Sequence, residues 1–95
     1  MNIAIIFGGK SSEHDISVIT ALQAINAIDK GKYKIYPIYI TKNGEWLTGE
    51  KLLDKETYID FQSKKFYKVT LNFGKKEIII KKLIRQIVKI DCALL

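Results

Sequence analysis

The sequence predicts an α/β fold in which a β-α-β unit with a mainly parallel sheet precedes a β-hairpin. The first observation is the isoleucine-rich run NIAIIF at 2–7, which is typical of a strand buried on both faces. The second is the helical spacing of apolar residues over 16–28, and the third is the β-branched and aromatic run YKIYPIYI at 33–40. A strand, a helix and a strand in this order predict a right-handed crossover.

The composition fits one small cytoplasmic domain. The chain has 95 residues and is 47% apolar, so a core can form and disorder is not expected. The single cysteine, Cys92, excludes an internal disulfide framework and fits a reducing compartment. It lies in the apolar run IDCALL, which favours a buried, inert thiol over a catalytic one. The run IAIIF has only five residues, too few for a signal peptide or a membrane span.

The helix is predicted to begin at Ser12, an N-cap residue with Asp15 three positions later as an approximate capping box. It should continue to about Ile28, with Gly31 at the C-cap position. The residues expected on its buried face are Val18, Leu22, Ile25 and Ile28, together with Ile16 and Ile19.

The second strand and its surroundings carry clear local signals. Pro37 has no backbone N–H, which predicts an edge or a bulge near the middle of this strand. The tripeptide KNG at 42–44 predicts a turn, and EWLT at 45–48 predicts a short returning strand. The polar segment 49–65 is expected to be a loop with one short helical turn.

The last third of the chain predicts more strand. YKVTLNF at 67–73 and KEIIIK at 76–81 form a predicted hairpin around Gly74, and 88–95 reads as a third buried strand. A single amphipathic helix over 77–90 is the alternative, because its isoleucines fall near helical spacing. Since the sequence stops within apolar, strand-like residues, we expect the 95 residues to be part of a longer protein.

The formal net charge is +6, and the basic residues are concentrated in the second half. They are Lys64, Lys65, Lys68, Lys75, Lys76, Lys81, Lys82, Arg85 and Lys89. Such a bias can mark a nucleic-acid surface. Only one of the nine is arginine and no stacking aromatics interleave in a known motif, so a solvated face and no nucleic-acid partner are expected.

The segment FGGKSSEHDIS at 7–17 contains G-K-S but is not a phosphate-binding loop. A P-loop needs a glycine five positions before its second glycine, and that position is Ala4, within the predicted strand. The dinucleotide fingerprint G-x-G-x-x-G is also missing. Both nucleotide-binding motifs are therefore excluded at this segment.

What remains at this segment is a sharp turn beside a helix N-terminus. Gly8 and Gly9 permit close approach of a ligand to the backbone at the carboxyl end of the first strand, where α/β sheets bind ligands. The carboxylate of Glu13 can hold a ligand ammonium through charge-assisted hydrogen bonds. Glu13 can equally serve only to stabilise the helix dipole, and the spacing leaves both interpretations open.

FGGKSSEHDIS resembles the opening signature of the D-alanine–D-alanine ligases, an apolar strand followed by G-G-x-S-x-E-H/R-x-V/I-S. The matching residues are Gly8, Gly9, Ser11, Glu13, His14, Ile16 and Ser17. YPIYITKNGEW and KIDCALL look like the family's second strand with its turn and the strand before its next motif, so the resemblance covers essentially the whole chain. It implies the Rossmann-like (pre-ATP-grasp) N-terminal, substrate-binding domain of an ATP-grasp enzyme, here residues 1–95.

The resemblance implies the chemistry of the complete enzyme. ATP activates the carboxylate of one D-alanine, the amine of a second attacks it, and the D-Ala-D-Ala dipeptide enters peptidoglycan synthesis. ATP and Mg2+ (Mn2+ is possible) would bind to domains outside this chain, so no cofactor-binding or metal residue is expected within it. The chain alone is expected to be inactive. The family also implies a homodimer that packs apolar surface around the first helices.

The resemblance assigns roles residue by residue. Glu13 would hold the ammonium of the first D-alanine and is the one catalytic candidate. Ile16 would pack near the methyl group of that substrate, and Ser17 would support Glu13. Gly8 and Gly9 would shape the floor of the pocket.

Some alternatives remain open. His14 stands where the family has His or Arg, and a surface position or a polar contact behind the site is expected for it. Ligation of D-alanine to D-lactate or D-serine is equally compatible, because residues reading the second substrate would lie outside this chain. From another class, the chain could be a stand-alone basic module that binds nucleic acid or an acidic partner with steep salt dependence.

Overall fold

The computed structural model describes residues 1–94, so position 95 of the predicted last strand lies outside the described residues. It contains one α-helix, α1 (His14–Ala27), and three short 3-10 helices, Glu50–Leu53, Lys55–Tyr58 and Ser63–Lys65. The strands are β1 (Asn2–Gly8), β2 (Lys34–Ile40), β3 (Trp46–Thr48), β4 (Tyr67–Asn72), β5 (Glu77–Lys81), β6 (Gln86–Lys89) and β7 (Cys92–Leu94).

All seven strands belong to one sheet with the order β6-β5-β4-β3-β2-β1-β7. The α/β class and the β-α-β unit are confirmed, since β1 and β2 are parallel and α1 connects them. The expectation of a mainly parallel sheet is wrong. Only β1 with β2 and β1 with β7 are parallel, and the other neighbours are antiparallel. Parallel neighbours require a crossover connection, whereas short turns reverse the chain between β2 and β3, between β4 and β5, and between β5 and β6.

The last third of the chain differs most from expectation. The predicted hairpin of β4 and β5 is confirmed, and the alternative helix over 77–90 is wrong because β5 pairs with β6. The predicted strand 88–95 is divided, with β6 at one edge of the sheet and β7 at the other. The strand β7 is exposed, and so is Cys92, which was expected to be buried. An edge strand has only one neighbour, so an apolar run there need not be covered.

The strands β6 and β7 lie at opposite edges of the sheet, yet only two residues, Ile90 and Asp91, separate them in sequence. The two edges must therefore lie close together in space, so the sheet is curled. Three hydrogen bonds hold this link against the start of β1. The Asn2 backbone N–H donates to the Asp91 carboxylate (2.7 Å), and the Asp91 N–H donates to the Asn2 carbonyl (2.9 Å). The Asn2 side-chain amide donates to the Lys89 carbonyl (2.8 Å).

Each face of the sheet has its own apolar core. The concave face buries Ala4, Ile6, Ile38, Val69, Ile78, Ile80, Val88 and Ile90. The face beneath the helix buries Ile3, Ile5, Phe7, Val18, Ala21, Ile25, Tyr39 and Leu52. The predicted burial of Val18 and Ile25 is confirmed, whereas Ile16 and Ile19 are 63% and 57% exposed. The helix stripe that meets the sheet is narrower than expected, so these two isoleucines lie on the open side.

The ends of the helix also differ from expectation. Its N-cap residue is Glu13 rather than Ser12, and the Glu13 N–H donates to the Ser11 hydroxyl (3.2 Å). The C-cap residue is Ile28 rather than Gly31. Two serines, Ser11 and Ser12, precede the helix, and the sequence alone does not decide at which residue the first turn begins.

The signals around the second strand are confirmed. Only the second half of β2, from Ile38 onwards, pairs with β3. Pro37 therefore lies in the first half of the strand, which has no neighbour on that side. The Thr48 hydroxyl donates to the Pro37 carbonyl (2.7 Å) where a backbone partner is missing. The turn at 42–44 is present, with Gly44 at φ +88°, and the loop at 49–65 contains three helical turns instead of one.

Candidate functional site

The glycine loop lies at the carboxyl end of β1. Gly8 and Gly9 have φ values of +91° and +107°, which side chains rarely adopt. A Cβ on Gly8 would lie 2.3 Å from the Ile40 carbonyl oxygen, so only glycine fits. A Cβ on Gly9 would meet no atom of residues 1–94 within 4 Å. The backbone therefore bends tightly at Gly8 and faces open space at Gly9.

Two strands and the helix hold this loop in place. The Gly9 N–H donates to the Ile40 carbonyl (2.8 Å) at the end of β2. The Gly8 N–H donates to the hydroxyl of Ser17, one turn into α1 (3.0 Å). The Ser17 N–H donates in turn to the Glu13 carbonyl (2.9 Å). Ser17 thus connects the helix to the glycine loop, while its support of the Glu13 carboxylate stays a prediction.

His14 is buried behind the loop. His14 is 3% exposed, so the expected surface position is wrong, whereas the expected polar contact is present. Nδ1 lies 2.5 Å from the Gly9 carbonyl oxygen, and Nε2 lies 2.7 Å from the Tyr39 hydroxyl. A carbonyl can only accept, so Nδ1 carries the proton. In the neutral ring Nε2 then accepts the hydrogen bond that Tyr39 donates.

Tyr39 is a site residue that the sequence analysis missed. It stands near the carboxyl end of β2, within a buried run, where a tyrosine hydroxyl needs a hydrogen-bond partner. His14 is the only histidine in the sequence and is the partner found. A tyrosine at the end of a buried strand was therefore the available signal.

Aromatic rings fix Tyr39 in place. Its ring centroid lies 5.6 Å from that of Phe7, 5.2 Å from Tyr58 and 4.8 Å from Phe61. Burial raises the pKa of Tyr39, with a smaller contribution from the negative charge of Asp15. Burial likewise raises the pKa of Tyr58, with smaller contributions from Tyr39 and Asp54. Both hydroxyls are therefore neutral donors at physiological pH.

A groove of about 500 Å³ runs between α1 and the 3-10 segments beside this aromatic cluster. The residues that line it include His14, Asp15, Tyr39, Lys42, Lys55 and Tyr58. Glu13 and Ile16 are exposed near the start of α1 and are absent from this lining. The structure thus joins Gly8, Gly9 and Ser17 in one bonded unit and leaves Glu13 and Ile16 open to solvent.

The start of α1 presents a carboxylate that can accept hydrogen bonds from a cationic ligand. The exposed Glu13 carboxylate at the helix start can accept hydrogen bonds from an ammonium group. Residues 1–94 contain no group of three or more His, Cys, Asp or Glu side chains placed to hold a metal ion. Over the same residues, no helix is both long enough and apolar enough to cross a membrane.

These features define an α/β domain that presents a glycine turn and a helix-start carboxylate at the end of its first strand. Residues 2–94 match the family described as the D-ala D-ala ligase N-terminus, and the chain belongs to that family.

Curated and solved relatives agree with this assignment. The D-alanine–D-alanine ligase of Thermosipho melanesiensis is 57% identical over 61 residues, which are 64% of this chain and 17% of the relative. The D-alanine-D-alanine ligase structure from Coxiella burnetii has a TM-score of 0.77 at 28% identity, over 98% of this chain and 27% of that one. The VanG D-Ala:D-Ser ligase of Enterococcus faecalis has a TM-score of 0.74 at 32% identity, over 97% of this chain and 27% of that one. The chain thus spans about a quarter or less of the length of these proteins.

Proposed function

We propose that this chain is the N-terminal domain of an ATP-dependent D-alanine–D-alanine ligase and binds the first D-alanine. The observation that carries the proposal is the glycine loop, which is bonded to β2 and α1 and presents Glu13 at an open helix start. This geometry occurs in a chain whose family is the N-terminal part of such ligases. The product would be the D-Ala-D-Ala dipeptide used for peptidoglycan.

In this proposal the chain binds and orients the first substrate. Glu13 accepts hydrogen bonds from the substrate ammonium, and Ile16, 63% exposed three residues later, packs against the substrate methyl group. Ser17 holds the loop, and Gly8 and Gly9 form the floor beneath the substrate. ATP with Mg2+ (or Mn2+) would activate the substrate carboxylate, and the residues that hold them would lie outside this chain.

The decisive experiment replaces Glu13 with alanine in the full-length protein. Loss of one charge-assisted hydrogen bond should cost about 1.5–3 kcal/mol, so kcat/KM for the first D-alanine should fall by about 10- to 150-fold. The KM for ATP should not change. Initial-rate kinetics of phosphate release against D-alanine and ATP measure both constants.

Asp15→Asn is the matched control for Glu13→Ala. Asp15 is also an exposed acid in the first turn of α1, and its ion pair with Lys42 is long (4.0 Å) and solvent-exposed. If Glu13 served only the helix dipole, both variants would lower stability alike and neither would alter the D-alanine KM. Unchanged D-alanine kinetics in Glu13→Ala would contradict the assigned role.

A ligase that joins D-alanine to D-serine is the second candidate, and D-lactate is a further alternative. The VanG D-Ala:D-Ser ligase is 32% identical to this chain, and this similarity is the observation that introduces D-serine as an alternative second substrate. Residues that select the second substrate would lie outside this chain. Dipeptide or depsipeptide formation with D-alanine, D-serine and D-lactate as second substrates, compared side by side, decides among the three.

The proposed ligase would be a cytoplasmic homodimer. The exposed Ile19 on α1, 57% accessible, belongs to the apolar surface that such a dimer could cover. Sedimentation of the full-length protein at two concentrations measures the oligomeric state.

The competing hypothesis, a basic binding module, is supported only by the exposed lysines. Absence of retention on heparin at low salt would exclude it.

A further inference from the structure

We propose that His14 is a positioning residue for the first-substrate site, acting through its Nδ1–H on the Gly9 carbonyl. The inference rests on the proposed function, because it concerns the loop beneath the first D-alanine. It assigns a separate task to two consecutive residues. Glu13 faces solvent and contacts substrate, whereas His14 turns inward and holds the backbone on which that contact depends.

Gly9 is held by few contacts other than the hydrogen bond from His14. Its backbone adopts φ +107°, and its Cα faces open space within the described part of the chain. Its N–H is fixed by the Ile40 carbonyl and its C=O by His14. Without the hydrogen bond from His14, the peptide group after Gly9 would be free to rotate. The segment from Gly9 to Glu13 would then be less well ordered.

His14 is itself held in place by Tyr39. Nε2 accepts from the Tyr39 hydroxyl, and the two rings meet nearly edge to face, with centroids 5.3 Å apart at 74°. Tyr39 is wedged among aromatic rings and is part of β2. Two consecutive hydrogen bonds therefore connect β2 to the glycine loop, from the Tyr39 hydroxyl to His14 and from His14 to the Gly9 carbonyl. Each donor is fixed, because the carbonyl at the end can only accept.

The experiment compares two amides at position 14 in the full-length protein. His14→Asn places an N–H donor near the site of Nδ1, whereas His14→Gln places one near the site of Nε2. Both remove the ring, so a purely structural role predicts equal losses of stability and activity. If the role is positioning through Gly9, His14→Asn should keep the KM for the first D-alanine within about threefold, and His14→Gln should raise it by about tenfold or more. The KM for ATP should stay constant in both.

Tyr39→Phe is the second variant, which preserves ring packing and removes only the donor to Nε2. Without this hydrogen bond the His14 ring should be less well fixed, so the KM for D-alanine should rise severalfold with kcat little changed. Equal D-alanine KM values in the Asn and Gln variants, with no change in Tyr39→Phe, would overturn the proposal. If the position-14 variants fail to fold, an unchanged KM in Tyr39→Phe overturns it alone. A wild-type protein with no D-alanine-dependent phosphate release would instead refute the proposed function.

Discussion

At the scale of single residues, Gly8 and Gly9 occupy the same unusual region of backbone conformation for different reasons. Gly8 is enclosed, since a Cβ there would overlap the Ile40 carbonyl oxygen at 2.3 Å and touch the Tyr39 ring at 3.0 Å. Gly9 is open, and only its φ of +107° disfavours a side chain. One glycine is therefore required for packing and the other for conformation.

Alanine substitutions separate these two requirements. Gly9→Ala should destabilise the protein by about 1–3 kcal/mol, the usual cost of a residue held in a sparsely populated backbone region. Gly8→Ala should cost more than Gly9→Ala, because the same strain is joined by a clash with backbone that cannot move freely. Urea unfolding of both variants gives the two free energies. Equal losses of unfolding free energy would mean that the backbone where β1 meets β2 can shift to accommodate a methyl group.

The buried tyrosines predict how stability changes at alkaline pH. The pKa values of Tyr39 and Tyr58 are raised above the ordinary 10.0, so the native state holds these protons more tightly than the unfolded chain does. Their contribution is complete below pH 10 and is lost as pH rises above it. The unfolding free energy, measured between pH 8 and about 11, should therefore fall steeply above pH 10. Tyr58→Phe should make that fall shallower, whereas Tyr67→Phe, at an exposed position, should not.

At the scale of secondary structure, the sequence correctly predicted the elements whose conformation depends on residues close to them in sequence. The apolar run of β1, the helical stripe with Val18 and Ile25, and the KNG turn all depend on neighbours in sequence and are all present. The division of 88–95 was not predictable in this way. The Ile90 N–H donates to Lys76 and the Asp91 N–H donates to Asn2, so distant partners redirect the chain there.

The candidate site follows the same rule. The glycine turn was predicted, and the N-cap of the helix was predicted to within one residue, because these features are adjacent in sequence. The tie from Ser17 to Gly8 spans nine residues, and the partner of His14 is Tyr39, 25 residues away on another strand. No periodicity in the sequence pairs these side chains, so only the folded structure identifies the contact. The exposure of Ile16 likewise depends on which stripe of α1 meets the sheet.

The edge of β2 gives a prediction at this scale. Thr48 is buried, and its hydroxyl donates to the Pro37 carbonyl, which has no strand partner on that side. Thr48→Val keeps the shape and leaves that carbonyl without its donor, so the unfolding free energy should fall by about 1–3 kcal/mol. Thr70→Val, at an exposed position of β4, should be within about 0.5 kcal/mol of wild type. Denaturant titrations of both variants provide the test.

At the scale of the whole molecule, the curled sheet organises both the core and the site. Its concave face encloses one apolar core, and its other face supports α1, so the helix start and the glycine loop rest on a sheet packed on both sides. The curl brings the link between β6 and β7 back to the first residue of β1, although these segments are 89 positions apart. The strand that carries the glycine loop is therefore held at both ends.

Asp91→Ala should weaken this closure selectively. Removing the carboxylate takes away the acceptor of the Asn2 N–H, and at this exposed position the loss should be about 1 kcal/mol. Asn2→Ala removes the side-chain bond to the Lys89 carbonyl, and the double variant should lose less than the sum of the single losses, because the two bonds hold one link. Hydrogen exchange should accelerate in β6 and β7, since β7 pairs with β1 over only three positions, and should change little where β2 meets β3. Asp60→Ala, at an exposed loop position, is the control. Strictly additive losses with uniform exchange across the sheet would mean that the edges open independently and that the closure does not act as one unit.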